Sequence, residues 1–454
     1  MGIETMSINT SGLESKLQST SVSIFVSKDH KLIKLANVLP LEEISDLVVA
    51  DLRKTTESGF WWLGRPIVVR IHLMIYLLQK IFNYTDRQVV ELVKENAVYQ
   101  LFCGLGIVDK WHVPVHQKVE EFRNRLTPQT QQYLANLSCK AAVNLGLADA
   151  SILDIDSTTQ EANMSYPSDA NLMVKLARKV TKVAGWIEKH TRNFGIDGNP
   201  IDISELLRKA RGYFFQAKNA AIDKKREAFE QLFNQAKKVT YAGLDMIGQL
   251  KDVQKSRMPW NIAQAVQQVE SLGKRYILDV AHYVREHTMK AGKIMAFHLD
   301  QVACLTKGKA GKAREFGREF QIGRIGGNFV FSILTDRIRA DDKTEIPAML
   351  DEHQRLFGVQ VGSFAADKGY QSKANERAIQ KQTNDYHLGY AYEDQDEQDY
   401  HRLYNRRAGI EPVIGHIKAG GQLGKSRMKS DTATLAAGYG AMAGFNLRQI
   451  MRKI

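Results

Sequence analysis

A strand-like segment that carries two acidic side chains, S-I-L-D-I-D-S-T-T-Q at 151–160, is the feature that most limits the possible folds. Its alternation predicts a strand with Asp154 and Asp156 pointing to one side, although Ile152 interrupts the polar face. Because helical patterns precede and follow this segment, the chain has to combine a sheet with helices. Carboxylates among apolar neighbours are costly unless they lie at a strand end, cap a turn or bind a cation, and these alternatives stay open.

Another carboxylate is expected at the end of a later strand. V-Q-V-G-S-F-A-A-D-K-G-Y at 359–370 predicts a strand that ends at Asp367, next to Lys368 and Gly369. In α/β folds, an acidic residue at the carboxyl end of a strand and beside a glycine is a common position for ligand-binding groups. The alternative is an aspartate that only shapes a turn.

Further strand and helix signals surround this segment. R-E-F-Q-I-G-R-I and N-F-V-F-S-I-L-T flank Gly326–Gly327, which predicts a β-hairpin turning at the two glycines. A helix is predicted at 346–357, a last strand at 385–390 and an Ala-rich apolar helix at about 431–452. The segment between Lys418 and that helix, G-G-Q-L-G-K-S-R-M-K, is expected to be a flexible basic turn.

The stretch Y-N-R-R-A-G-I-E-P-V-I-G-H-I-K places four functional groups at helical spacing. At roughly 100° per residue, Tyr404, Arg407, Glu411 and Lys418 fall within about 60° on one helix face. A carboxylate flanked by cations suits a metal-bound phosphate substrate. The alternative is a solvated helix face with internal ion pairs. Pro412 disfavours helical backbone at Glu411, so the helix is expected to begin at Pro412 or to be kinked there.

Four regions are predicted from these patterns: a polar N-terminal tail (1–40), a helical domain (41–148), a mixed α/β core (149–170 and 291–454) and a helical insertion (171–290). Within the second region, Thr85 or Asp86 is expected to cap a helix. Short helices with a glycine-containing turn are compatible with a helix-turn-helix-like DNA-binding unit, and equally with any small helical bundle.

Charge points to a polyanionic partner. The chain holds 63 Lys and Arg against 50 Asp and Glu, which gives a net charge of +13. The block 171–290 alone holds 22 basic and 12 acidic residues. We expect a DNA-phosphate surface there, formed by two basic clusters: Arg208, Lys209 and Arg211, and Lys224, Lys225 and Arg226. The alternative is a solvated basic face.

A membrane or secretory role is not expected. The apolar run at 67–78 is short and contains Arg70 and His72, and the first residues lack the pattern of a signal peptide. The three cysteines are far apart, which predicts buried thiols in a reducing cytoplasm. His298, His387 and His416 lack metal-ligand spacing, so no histidine metal site is expected.

The three acidic motifs together resemble the DDE transposases of bacterial insertion sequences, in the group that carries the YREK signature. Y-x2-R-x3-E-x6-K matches in every spacing, and D-S-T-T-Q at 156–160 resembles the segment around the first catalytic aspartate. G-K-A-G-K…E-F-G at 308–317 is similar to a strand entry in some members, and L-F-C-G-L-G with the helices before it is similar to the N-terminal domain that those members share. The resemblance covers roughly residues 45–450.

This resemblance implies a ribonuclease-H-like core whose first and fourth strands are adjacent, and a catalytic triad of Asp156, Asp367 and Glu411. Asp154 is the rival for the first position. The triad would hold two Mg²⁺ ions, about 3.5–4 Å apart, with Mn²⁺ as an expected substitute. The helical insertion follows the first strand, whereas in better-known members it lies between the second aspartate and the glutamate, here only 44 positions apart.

The resemblance also implies that Tyr404, Arg407 and Lys418 contact DNA near the cleaved strand. The expected function is an insertion-sequence transposase that binds terminal inverted repeats, cleaves strands at the element ends and joins the 3′-hydroxyl to target DNA. Two alternatives remain: a non-catalytic or domesticated DNA-binding relative, and a ribonuclease-H-fold nuclease. A homodimer or larger homo-oligomer in the bacterial cytoplasm, associated with the nucleoid, is expected by the same analogy.

Overall fold

A computed structural model describes residues 5–8, 20–23, 25–57, 69–105, 113–194, 200–290, 292–299, 301–306, 314–334, 342–389 and 397–454. The chain forms two compact units. The first unit combines Met1–Asn163 with Cys304–Ile454, and the second is Met164–Ala303. The predicted domain boundaries given above stay predictions.

The N-terminal part of the first unit is mostly helical. It contains β1 (Thr5–Ile8), β2 (Thr20–Ser23), α1 (Lys31–Val38), α2 (Leu41–Glu57), α3 (Val69–Phe82), α4 (Asp86–Glu95), α5 (Ala97–Phe102), α6 (His116–Arg125) and α7 (Pro128–Asn144). The predicted cap of α4 is confirmed: the Thr85 hydroxyl accepts from Gln88 N while the Gln88 side chain accepts from Thr85 N. Helix begins at Lys31, ten positions before the predicted start, because buried Leu32 and Leu35 attach α1 to the core.

The second unit is a helical bundle with its own core. It contains α8 (Asp169–Phe194), α9 (Ser204–Asn219), α10 (Ile222–Gly248), α11 (Asp252–Ser256), α12 (Trp260–Gln268) and α13 (Lys274–Glu286), with a π-helical turn between the last two. Its long helices are amphipathic, and their apolar faces meet around buried residues such as Val180, Leu232 and Tyr276. The predicted helical character of this block is confirmed.

A mixed sheet forms the centre of the first unit. Its strands are β3 (Asp149–Glu161), β4 (Ala303–Thr306), β5 (Arg314–Gly326), β6 (Phe329–Ser332), β7 (Ser363–Ala366) and β8 (Tyr386–Leu388). The order is β4-β5-β3-β7-β8, and β6 also pairs with β5. β3 is antiparallel to β5 and parallel to β7. The predicted mixed ribonuclease-H-like core is confirmed. Its first strand, β3, lies next to β7, which is the fifth strand in chain order because the short β4 precedes the β5–β6 hairpin.

Five helices complete this core: α14 (Asp342–Phe357), α15 (Lys373–Gln380), α16 (Glu397–Ala408), α17 (Ile410–Ala419) and α18 (Asp431–Lys453). α18 is the predicted Ala-rich helix, and most of its side chains are buried. Small side chains suit this position, because α18 packs closely against α7 and α3. None of the helices in the described part of the chain is long and apolar enough to span a membrane.

The structure corrects several local predictions. The β5–β6 turn has positive φ at Gly327 and Asn328, one residue later than predicted, because Gly326 still pairs with Asp149 in the sheet. α14 begins at Asp342 rather than at position 346. The basic turn at 420–429 is anchored rather than loose: Glu161 N donates to Gly424 O, and Ser426 N donates to Glu161 O.

Candidate active site

Strand register brings the two predicted catalytic aspartates side by side. Ile155 of β3 pairs with Ala366 of β7 in the parallel ladder. Continuing the register by one residue places Asp156 next to Asp367, which directly follows β7. Neighbouring strands lie about 4.8 Å apart, and residues in register point to the same side. Two residues separated by 211 positions in the sequence therefore lie side by side on neighbouring strands, where β7 ends.

Helix α17 brings the glutamate to the same place. Its apolar positions recur at helical spacing and join a buried cluster with side chains of β5, the members being Ile410, Val413, Ile414, Ile417, Phe320 and Ile322. Glu411 lies outside that apolar face and is 64% exposed. α17 begins at Ile410, so the expectation that Pro412 starts or kinks the helix is wrong. Pro412 falls in the first turn, where a backbone N–H has no helical acceptor to lose.

Arg407 lies between two of the three carboxylates. Its guanidinium is 3.9 Å from Asp367 Oδ1 and 3.7 Å from Glu411 Oε1. The arginine side chain is only 13% exposed, whereas those of Asp367 and Glu411 are 59% and 64% exposed. The Arg407 guanidinium thus faces two solvent-accessible carboxylates. This arrangement suits the binding of an anionic substrate together with a metal cation.

Asp156 is the least exposed of the three and is partly buried. Burial, together with the charges of Asp367 and Glu411, raises the pKa of its carboxyl group from 3.8 to about 6, although the Ser157 backbone N–H and Arg407 oppose the shift. The Ser157 N–H donates to Asp156 Oδ1 at 2.8 Å. The site therefore carries more negative charge than the protein itself neutralises.

Asp154 has a different environment, although it lies on the same strand two residues earlier. Its Oδ2 accepts from Arg324 Nε at 3.1 Å and from Arg324 Nη2 at 2.5 Å, and its Oδ1 accepts from Arg406 Nε at 2.8 Å. Arg324 Nη2 also donates to Arg406 O at 2.5 Å, near the end of α16. Asp154 is 1% exposed, so it anchors the α16 end next to Arg407 and is closed to a substrate.

Sequence reasoning missed these supporting arginines. Arg324 and Arg406 stand 82 positions apart, and only the packing of β5 against α16 brings both to Asp154. The available signal was Arg324 itself, a cation within the apolar β5 pattern, because such a charge requires a buried partner.

Tyr404 lies in an aromatic group beside Arg407. The Arg407 guanidinium is 5.6 Å from the Tyr404 ring centroid, and the ring stacks on Tyr400 and meets His387 edge-on. Tyr404 is 43% exposed and can therefore contact a ligand. Lys418 lies near the end of α17, two turns after Glu411 and about 10 Å along the helix. Tyr404 and Arg407 thus lie at the carboxylate site on α16, whereas Lys418 lies farther away on α17. The prediction that all four groups share one helix face is wrong, because the helix is interrupted at Gly409.

A glycine after β8 shapes the Asp367 turn. Gly389 has φ +81°, a conformation that other residues rarely adopt, and a Cβ there would lie 2.5 Å from Lys368 Cα. Lys368 directly follows Asp367, whose carboxylate accepts from Lys368 N at 2.8 Å. Close approach of the two backbones therefore fixes the turn that presents Asp367.

The predicted DNA-phosphate clusters lie in the second unit, on α9 and at the start of α10. Glu205 pairs with Arg208 at 2.7 Å, and Asp223 lies 3.9 Å from Arg226, so intrahelical acids offset part of the charge. Lys209 donates to Gln231 at 2.6 Å. The remaining members, Arg211, Lys224 and Lys225, have no carboxylate partner within the described residues. Phe215, one helical turn after Arg211, is 82% exposed.

The carboxylate site matches the chemistry of a hard divalent cation. Across the described ranges, no group of three or more His, Cys, Asp or Glu side chains is arranged so that it could hold a metal ion. Magnesium, however, is usually bound by one or two carboxylates, with phosphate oxygens and water completing the shell. Two exposed carboxylates beside a third with a raised pKa supply such oxygen ligands and the negative charge that attracts a cation.

Comparison with known proteins gives matches to two family models. Residues 20–125 match the Transposase domain (DUF772), and residues 304–447 match the Transposase DDE domain. The chain is also similar to an uncharacterized protein, ORF8 in the nfe locus of Rhizobium meliloti, with 26% identity over 214 residues. That alignment covers 46% of this chain and 90% of the relative. No solved structure matches this chain.

Proposed function

Because the chain belongs to the DDE transposases of insertion sequences, enzymes that cut and join DNA, we propose that it binds the terminal inverted repeats of its element and cleaves DNA strands at the element ends. The freed 3′-hydroxyl is then joined to target DNA. The observation that carries this proposal is the convergence of Asp156 and Asp367, where β7 ends beside β3, with Glu411 of α17, and the position of Arg407 between two of these acids.

The three carboxylates would hold the divalent cations that DDE transposases typically use, here Mg²⁺ or Mn²⁺. When bound, the cations supply a Lewis acid that activates the attacking oxygen and stabilises the leaving oxygen. The choice of Asp156 over Asp154 is supported by their surroundings, because Asp154 already binds two arginines whereas Asp156 has only a backbone N–H donor.

Arg407 would change partners when DNA arrives. Without a substrate it offsets the charges of Asp367 and Glu411. A bound phosphate offers the planar guanidinium a stronger, bidentate acceptor and places the reacting phosphorus beside the carboxylates. Lys418 would bind a phosphate farther along α17, and the exposed Tyr404 ring would contact a sugar or base.

The chemistry is two successive phosphoryl transfers. In the first, a water oxygen attacks the phosphorus at the element boundary and the 3′-oxygen leaves as a hydroxyl after taking up a proton. In the second, that 3′-hydroxyl attacks a phosphorus of target DNA, and the target 3′-oxygen leaves. No side chain forms a bond to phosphorus, so Tyr404 acts as a contact rather than as a nucleophile.

The second unit would add affinity for the DNA backbone. Arg211, Lys224 and Lys225 project from α9 and α10 with no carboxylate partner in the described part of the chain, and exposed Phe215 offers a ring for stacking. Cations that neutralise phosphates release condensed counterions, which makes such binding strongly salt-dependent. Two DNA ends require two active sites, so a homodimer or larger homo-oligomer acting at the bacterial nucleoid completes the proposal.

The test is cleavage and joining of end-labelled DNA that carries the inverted repeats flanking the gene, with Mg²⁺ or Mn²⁺. Wild type is compared with Asp156→Ala, Asp367→Ala and Glu411→Ala, and with Glu397→Ala as a control for an exposed acid on α16 away from the triad. We expect nicking at the repeat boundary and joined products, lost in the three triad variants while end binding persists, and retained in the control.

Other outcomes identify the alternatives. Binding without any cut by wild type would favour a non-catalytic DNA-binding relative. Cutting that ignores the repeats and yields no joined product would favour a ribonuclease-H-fold nuclease. Cleavage at the wild-type level by any one of the three variants would remove that residue from the triad.

A further inference from the structure

A pocket of about 170 Å³ lies in the first unit, apart from the carboxylate site. It is formed where the end of α3 and the start of α4 meet α6, the 420–429 turn and α18. Three basic residues line it: Lys80 on α3, Arg123 on α6 and Arg427 in the turn. The volume comfortably exceeds what one water molecule needs.

Lys80 is the unusual member of this pocket. It is 9% exposed, and within the described structure its ammonium group has no hydrogen-bond acceptor. The ammonium group lies 4.8 Å from the Tyr76 ring centroid. Its stem passes close to the α18 backbone at Gly440, where a Cβ would lie 2.9 Å from Lys80 Cε. The side chain is thus held in place at the pocket wall.

Such a lysine is costly in the absence of an anion. Burial and, to a lesser degree, the nearby Arg123 charge lower the pKa of Lys80 from 10.5 to about 7, while Asp86 opposes part of the shift. A buried cation without a hydrogen-bonded counterion destabilises a fold. An anion in the pocket would remove this cost.

The protein does not supply that anion. Asp86 is the one carboxylate among the described residues that line the pocket. It already accepts from the Arg123 guanidinium and from Gln79 Nε2 at 2.5 Å. Arg123 Nε is buried and has no acceptor, and Arg427 is exposed with no carboxylate partner in the described ranges. The cations therefore exceed the acids in this pocket.

We propose that the pocket binds a phosphate group, with Lys80, Arg123 and Arg427 as its ligands, and that this phosphate belongs to the DNA backbone. The assignment to DNA rests on the proposed function. Arg427 accepts a hydrogen bond from Asn163 Nδ2 at 3.0 Å through its backbone oxygen, which ties the pocket rim to the end of β3.

The position of the rim suits a bound duplex. Ser426 N donates to Glu161 O at 2.8 Å, and Glu161 lies five residues after Asp156 on β3. Five strand residues span about 17 Å. One turn of a DNA duplex is about 34 Å long. A duplex with one phosphate at Asp156 therefore has further backbone phosphates within about 17 Å of it, the distance given above for the five strand residues.

The first experiment measures DNA affinity against salt concentration for Arg427→Gln and Lys429→Gln. Both substitutions remove one exposed positive charge from the same turn, but Lys429 does not line the pocket. We expect the slope of log affinity against log salt to fall by about one in Arg427→Gln and to be nearly unchanged in Lys429→Gln. Lys80→Met, which keeps the apolar stem, should lower affinity several-fold in the same direction.

The second experiment asks which phosphate binds. An amine-acylating reagent labels Lys80 at pH 7.5, and mass spectrometry follows its rate with a 20-base-pair duplex or with inorganic phosphate at the same phosphate concentration. Protection by the duplex alone supports the DNA assignment. Protection by inorganic phosphate alone supports the phosphate site but assigns it to a free phosphate.

Either of two results overturns the proposal: protection of Lys80 by neither ligand, or equal salt slopes for Arg427→Gln and Lys429→Gln. These readouts do not depend on strand cleavage. If wild type binds DNA through the pocket but never cuts, the proposed function fails while the phosphate site stands. If wild type cuts and joins DNA and Lys80 stays unprotected, the phosphate site fails alone.

Discussion

Asparagine substitutions at two positions of one strand are expected to have opposite effects on stability. Asp154 and Asp156 point to the same side of β3 and lie only two residues apart. Asp154 is bound by Arg324 and Arg406, whereas Asp156 has only a backbone donor and lies near two other acids. The comparison also tests which of the two belongs to the catalytic triad.

Asp154→Asn should destabilise the protein strongly. It removes the charge that two buried or half-buried guanidinium groups share through three hydrogen bonds of 2.5–3.1 Å. Breaking a buried ion pair by removing one partner typically costs about 3–5 kcal/mol, because the remaining charge is left uncompensated. We expect a loss of about 4 kcal/mol in the free energy of unfolding at pH 7.

Asp156→Asn should stabilise the cation-free protein. The pKa of Asp156 is raised from 3.8 to about 6, so its ionised form at pH 7 is disfavoured in the folded state. At about 1.36 kcal/mol per pKa unit, the asparagine variant gains up to about 3 kcal/mol. Between these two pKa values the folded state binds the proton more tightly, so wild-type stability falls as pH rises from about 4 to 6. The gain should therefore vanish near pH 4.

The assay is urea unfolding followed by circular dichroism, with a chelator present so that no divalent cation binds. Cleavage of repeat DNA is measured on the same preparations. We expect no cleavage by Asp156→Asn, and residual cleavage by Asp154→Asn at temperatures where it stays folded. Equal destabilisation by both substitutions, or a stable Asp154→Asn variant that cannot cleave, would refute the assignment of Asp154 to structure and Asp156 to catalysis.

Three further predictions follow from the same geometry. Replacing the clusters Arg208, Lys209 and Arg211 and Lys224, Lys225 and Arg226 by glutamine should weaken DNA binding and flatten its salt dependence, measured by titration at several salt concentrations; an unchanged slope would mean that these helices only form a solvated face. Gly389→Ala should reduce cleavage while repeat binding persists, because a Cβ displaces the turn after Asp367; full cleavage by this variant would contradict that reasoning. Tyr404→Phe should keep cleavage activity, and a detergent-resistant bond between Tyr404 and DNA in wild type would show instead that it acts as a nucleophile.

The sequence by itself determined the main elements and the candidate triad. Alternation identified β3, the Gly-rich turn identified the β5–β6 hairpin, and the Y-x2-R-x3-E-x6-K spacing identified the stretch around Glu411. These features are local, because strand period, turn chemistry and helix spacing depend on residues close together in the chain. The catalytic roles of the triad remain a proposal.

The resemblance favoured Asp156 over Asp154, but only the tertiary structure gave a physical difference between them, because their local sequence patterns are nearly equivalent. What distinguishes them is a buried arginine from β5 and another from α16, both distant in sequence. Likewise, the sequence shows Lys80 only as one polar residue in an apolar helix. Tertiary packing brings it next to Arg123, Arg427 and Gly440. Burial and the balance of charge around a group arise from such long-range contacts, and these decide whether an ionised side chain supports the fold or is available to bind a ligand.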